Sequence, residues 1–337
     1  MIARKMPCTG LWPDSRILRV MLTIFLLFAT FLQYRRQNGG SIIFRRNKIV
    51  TYGRSGAQNA STTVVIAAAL NYGLVEFRNF IVPLRKFYAG DVVLFVNDNL
   101  PRAVLDLCIN SNIATIPLPS GSRLGVKGNR YIGYSKVCSQ YDLCLATDFR
   151  DVFFQANPFS SVPKADLIFF EEVKRVKMGY KNGRPTCTPS VSDVCTCPYN
   201  ANWIKTCWGE NFLSSIANET PICSGTIIGT PAGFLDLEKK MLSEMSRTST
   251  KKGCSARDQG HLNYLYFSKR FDTKVLLQAQ GKGIINTVGY ITPRTDIPKY
   301  LNSRGFVVNA DNSVPALIHQ YDRFPELVAL VQTLSNS

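Results

Sequence analysis

Four stretches of this chain carry side chains whose type and spacing can do chemistry. The first is Tyr141–Phe159, YDLCLATDFRDVFFQANPF, where an apolar run ends in two carboxylates, Asp148 and Asp151, with Arg150 between them. Residues three apart in an extended chain point to opposite faces, so the carboxylates converge only if the chain turns directly after the strand. Such a turn would present hard oxygen ligands at the edge of a sheet, a donor set suited to magnesium or manganese holding a diphosphate. An ion there stabilises charge on a departing nucleoside diphosphate. The plainer alternative has Asp148 capping a turn and Asp151 pairing with Arg150.

The second stretch is Cys223–Gly229, CSGTIIG. Gly225 lets the backbone approach a ligand closely, or it marks an ordinary strand bend. The third is Arg257-Asp258-Gln259 at the start of a helical pattern. Asp258 there is a general base, a holder of a hydroxyl, or a carboxylate favoured by the helix dipole. The fourth is Ala316–Arg323, ALIHQYDR, which puts His319, one of two histidines, at the end of a short apolar run. His261 lies one turn into the Asp258 helix without comparable surroundings. Gly121 to Gly128, GSRLGVKG, offers glycines and bases to a phosphate but lacks the strand-turn-helix setting of a dinucleotide fingerprint. There is no G-x-S-x-G elbow, no P-loop and no H-E-x-x-H.

The elements that must position these groups follow from the apolar pattern. Strands are predicted at 63–69, 92–96, 113–116, 143–146 and 167–170, and helices at 75–88, 102–110 and 130–140. Continuous apolar strands separated by helices imply a mostly parallel sheet covered on both faces, an α/β doubly wound fold whose ligands bind beyond the carboxyl ends of the strands. From Lys174 to Cys207 the regularity breaks into a cysteine-rich insertion. Helical patterns resume at 202–216, 234–247 and 258–267.

Composition narrows the function classes. The 337 residues carry a formal charge of +17, which favours anionic partners. Zinc-finger spacing, basic heptads and aromatic-interleaved basic runs are all missing, which argues against nucleic acid. Ten cysteines are present. Cys187, Cys195, Cys197 and Cys207 lack paired C-x-x-C spacing, so disulfides in an oxidising compartment are expected there rather than zinc. Cys108, Cys138 and Cys144 lie in or beside apolar segments and read as buried thiols. Val20–Tyr34 is an uncharged apolar run. Extended to 17–36, it predicts an uncleaved signal anchor. Residues 1–16 would be a cytosolic tail, 37–61 a stem and 62–337 a lumenal domain. The sequons at Asn59 and Asn218 agree with a type II, glycosylated layout.

The strand ending in Thr147-Asp148-Phe149-Arg150-Asp151, followed by Asn157-Pro158-Phe159, resembles the acidic metal motif of GT-A glycosyltransferases, here spaced D-x-x-D instead of D-x-D. The resemblance runs from Thr62 to about Leu330. It implies nucleotide-sugar-dependent transfer to a glycan or glycoprotein, with Mn2+ or Mg2+ on Asp148, Asp151 and His319. It further implies that Asp148, Arg150, Ser224 and Gly225 line the donor site. Asp258 and Gln259 would stand beside sugar and acceptor as the catalytic pair. A Golgi or ER membrane location follows from the same likeness. A non-catalytic protein of this fold that binds nucleotide sugar or glycan is the alternative, given the altered spacing.

Overall fold

A computed structural model describes residues 41–45, 48–52, 62–118, 125–179, 187, 193–254, 257–291 and 299–336. The chain forms two compact units, Met1–Asn59 and Ala60–Ser337. In the first, β1 (Ser41–Arg45) pairs antiparallel with β2 (Lys48–Tyr52), a hairpin inside the segment expected to be a stem. The predicted anchor and the Asn59 sequon lie outside the described residues. Among the described residues no helix is long and apolar enough to cross a membrane.

The second unit opens with β3 (Thr63–Ala69), α1 (Leu74–Phe87), β4 (Asp91–Val96), α2 (Arg102–Asn110), β5 (Ala114–Pro117), α3 (Gly125–Cys138) and β6 (Leu143–Thr147). After β6 come β7 (Val152–Phe154), β8 (Leu167–Glu171), β9 (Val176–Lys177) and β10 (Cys195–Thr196). The chain continues through α4 (Pro198–Trp208), α5 (Glu210–Ser215), β11 (Ile222–Gly229), α6 (Pro231–Thr248) and α7 (Asp258–Phe267). It closes with β12 (Val275–Gln278), β13 (Ile285–Thr287), β14 (Leu317–His319) and α8 (Pro325–Asn336).

Seven strands form the main sheet, in the order β12-β8-β11-β6-β3-β4-β5. The run β6-β3-β4-β5 is parallel, and β12 is parallel to β8. Only β11 is reversed, running antiparallel to both β6 and β8. The expected mostly parallel α/β sheet is therefore present. Strands such as TVVIAAA are apolar at nearly every position because both of their faces are covered. On one face Phe77, Phe80 and Leu84 of α1 pack against Val65, Leu94 and Leu145. On the other, Tyr131 and Tyr134 of α3 and Phe234 and Met241 of α6 pack against Ile66, Phe95 and Phe169. A second, three-stranded sheet has the order β13-β14-β7, with β14 antiparallel to β7.

Some expectations change. The helix predicted from Arg130 begins a turn earlier, at Gly125. The helical stretch 202–216 is two helices, because Gly209 turns the chain with φ 93°. The helix α4 also occupies the end of the predicted insertion, whose short strands β9 and β10 pair in parallel. Cys138 and Cys144 are not buried thiols but a disulfide, because the turn between α3 and β6 brings their Cα atoms to 5.9 Å. Cys187–Cys195 and Cys207–Cys254 are also bonded, whereas Cys108, Cys197 and Cys223 are free and buried.

His261 proves to be a core residue. Its Nδ1–H donates to the Arg257 carbonyl at 2.7 Å, and Nε2 shares a hydrogen bond with the Thr248 hydroxyl at 2.7 Å. Burial lowers its pKa below the ordinary 6.5, outweighing the Arg257 bond that raises it. The unfolded chain therefore takes up this proton at higher pH than the folded one. Its contribution is fully present above about pH 6.5 and declines as pH falls from there, by at most about 1.4 kcal/mol per pH unit. Urea midpoints of His261→Gln should depend less on pH between 7 and 5.5 than those of the parent. Identical slopes would refute this.

Candidate metal centre

The apolar strand β6 delivers the chain to the carboxyl edge of the main sheet, and Asp148 is the first residue beyond it. Phe149 then buries its ring against Phe77 and Phe80, with centroids at 4.7 and 4.6 Å. That anchor reverses the chain within three residues, so Asp151 returns toward Asp148 before β7 begins. Backbone bonds set both positions. Asp148 N–H donates to the Gly225 carbonyl at 2.6 Å, and Gln320 N–H donates to the Asp151 carbonyl at 2.6 Å. Because β14 pairs with β7 in a register that places His319 opposite Val152, the imidazole comes to the same point.

The result is a triad. His319 Nε2 lies 3.6 Å from Asp148 Oδ2 and 3.7 Å from Asp151 Oδ2. One ligand atom from each of the three residues lies within 4.8 Å of the others. His319 is 1% exposed, and its Nε2 has no hydrogen-bond partner. Its Nδ1 lies 3.4 Å from the Cys223 sulfur. With Nδ1–H donating to that sulfur, the neutral ring presents the Nε2 lone pair to the carboxylates. Gly225 makes room for the group. A Cβ there would sit 2.5 Å from Asp148 Oδ2 and 2.7 Å from His319 Nε2, and closer still to His319 Cε1. An orphaned buried nitrogen, two carboxylates and a glycine-made space can hold a metal ion.

Each ligand must give up its proton before it binds a cation, and the charges within the triad set how readily it does so. Burial raises the Asp148 pKa, but the neighbouring His319 imidazole and the Arg130 guanidinium hold it well below the usual carboxylate range. Asp151 is raised by burial and by Asp148 and Asp322, against the opposing pull of His319. Burial disfavours a charged His319, yet the Cys223 sulfur and the carboxylates of Asp151 and Asp148 keep its pKa above the ordinary histidine range. An arriving cation takes over the part played by the imidazole proton.

Arg130, which sequence reasoning missed, organises the rest. Its Nη1 donates to Asp148 Oδ1 at 2.9 Å. Nη2 donates to Asp258 Oδ2 and to the Ser224 carbonyl, the latter at 3.3 Å. Both Arg130 and Asp258 are about nine-tenths buried, with side-chain exposures of 10% and 9%. Lys127 Nζ stands 3.8 Å from Asp258 Oδ1. Asp258 opens α7 as expected, but it is held by Arg130 rather than free. Gln259 Nε2 donates to Glu172 Oε1 at 2.9 Å. Arg150 forms its ion pair with Asp322 at 2.8 Å, not with its neighbouring aspartates. The overlooked signals were a helix beginning early enough to carry both Lys127 and Arg130, and Glu172 directly after β8 as Asp148 directly follows β6.

Neither a protein-family model nor a curated protein matches this chain.

Proposed function

We propose that the second unit is a glycosyltransferase moving a monosaccharide from a nucleotide-sugar donor to a glycan or glycoprotein acceptor. The convergence of Asp148, Asp151 and a bare His319 Nε2 at the carboxyl edge of a doubly wound sheet carries this reading. Mn2+ or Mg2+ held there supplies charge against the donor diphosphate. The remaining work falls to the chain's own residues. Gly225 and Ser224 let backbone approach the donor, while Arg130 fixes the orientation of Asp148 and Asp258 from behind. Arg150, exposed beside the turn and paired with Asp322, flanks the donor in this scheme. The predicted anchor, the exposed Asn218 of a sequon and the disulfides favour a lumenal Golgi or ER setting.

Calorimetric titration of the full chain with Mn2+, followed by a panel of nucleotide sugars, tests the reading. The wild type should bind Mn2+ and release one nucleoside diphosphate in its presence. Asp151→Asn and His319→Ala should each weaken Mn2+ by more than about 100-fold, since even outer-shell changes cost 10- to 100-fold. Equal Mn2+ binding by wild type and variants would sink the assignment. Donor binding without turnover across the panel would favour a non-catalytic nucleotide-sugar- or glycan-binding protein.

A further inference from the structure

The carboxyl edge of the sheet holds one more buried acid. Glu172 follows β8 as Asp148 follows β6, and it is 3% exposed. Its backbone N–H donates to the Pro221 carbonyl at 2.9 Å, placing it against the start of β11. Oε1 accepts the amide of Gln259, whereas Oε2 is buried with no hydrogen-bond donor. A carboxylate oxygen removed from water normally has a donor, so one that lacks it calls for a partner from outside the chain.

The other acids of the candidate site are committed. Asp148 and Asp151 belong to the metal triad, Asp258 is ion-paired with Arg130, and Asp322 is ion-paired with Arg150. Among the described residues no lysine or arginine stands within ion-pair distance of Glu172. Its surroundings are also rigid. Asn263 accepts the Ile222 N–H at 2.7 Å and donates to the carbonyls of Ile222 and Gln259 at 2.8 and 2.7 Å, clamping the first turn of α7 to β11. Gln259 therefore holds Oε1 and leaves Oε2 as the free basic atom. Burial raises the pKa of this carboxyl, opposed by the Gln259 bond and by Arg323 and His319, which strengthens its grip on a proton.

We infer that Glu172 is the general base of the transfer, with Oε2 receiving the proton of the acceptor hydroxyl. This rests on the transferase reading of the triad. As the hydroxyl oxygen bonds to the anomeric carbon, its proton passes to Oε2. The bond from the anomeric carbon to the donor phosphate breaks, and its electron pair leaves on the nucleoside diphosphate. A single displacement of this kind inverts the configuration at the anomeric carbon. Gln259 is a positioning residue in this scheme.

The test uses the full chain, Mn2+ and a panel of UDP-, GDP- and ADP-linked hexoses, with glycosides as acceptors. Glu172→Gln keeps the shape and the oxygen that Gln259 grips, but removes the basic site. Its turnover should fall by about 100- to 10,000-fold, the usual worth of a positioned base. Nucleoside diphosphate binding in Mn2+ should stay within about twofold of wild type. Glu172→Asp, which retains a carboxylate, should recover part of the rate and guards against a folding defect in the first variant. NMR of the product should show the inverted anomer. Retained configuration, or Glu172→Gln turning over within threefold of wild type, would overturn the base and leave the transferase reading standing. Failure of the wild type to bind any nucleoside diphosphate with Mn2+ would overturn both.

Discussion

Replacing Arg130 with alanine is expected to lower the unfolding free energy by about 3–5 kcal/mol, among the largest single-residue effects in the chain. One guanidinium serves two carboxylates, Asp148 through Nη1 and Asp258 through Nη2, at a position one-tenth exposed. Its removal leaves Asp258 buried, with Lys127 at 3.8 Å the one cation near it among the described residues. The penalty comes from the charge left behind, because breaking a buried pair costs far more than the pair itself contributes. Arg130→Lys should recover only part of the loss, since an ammonium cannot span both acids as the planar fork does. Urea denaturation at pH 7 measures both variants. A loss below about 1 kcal/mol for the alanine variant would mean that water reaches Asp258 far more freely than its burial indicates.

The second large effect concerns one added carbon. Gly225→Ala should reduce Mn2+ affinity by at least about 10- to 100-fold, as does disturbance of the groups that orient metal ligands. The new Cβ would occupy the space between Asp148 Oδ2 and His319 Nε2, so one ligand must swing away. The same residue accepts the Asp148 N–H through its carbonyl, and that bond remains available. The strand β11 keeps its ladders to β6 and β8, so stability should fall only within the usual range of about 0.5–3 kcal/mol. Titration calorimetry of the folded variant decides the matter. Unchanged Mn2+ binding would show that the triad tolerates a methyl group and is looser than its geometry.

Much of the main sheet was legible because its strands are buried on both faces and read as unbroken apolar runs between helical patterns. Helix α7 falls at Asp258–Phe267 as its pattern indicates. The reversal of β11 was not legible. An antiparallel strand buried on both faces has the same apolar signature as a parallel one. The small sheet was hidden for another reason, since three-residue strands such as β7 and β14 are too short to show a period. Within the site, the carboxylates and His319 could be picked out by type and position. Arg130 could not, because its partners lie far away in the chain and only the folded sheet edge brings them together. The helical pattern runs straight through Gly209, since a glycine inside such a pattern does not announce a positive φ.

The pairing of β7 with β14 bears on the order of assembly. Phe153 and Ile318 are register partners, although most of the second unit lies between them in the chain. Closing so large a loop is entropically unfavourable and is not offset until the intervening sheet exists. The main sheet, whose neighbouring strands β3, β4 and β5 are connected through single helices, can condense first. Asp148 would then be in place, while Asp151, whose carbonyl is held by Gln320 just after β14, and the imidazole of His319 still await that strand. A cation is thus a latecomer to the folding pathway: it does little for the rate of folding and acts chiefly by slowing unfolding, once the final strand has docked.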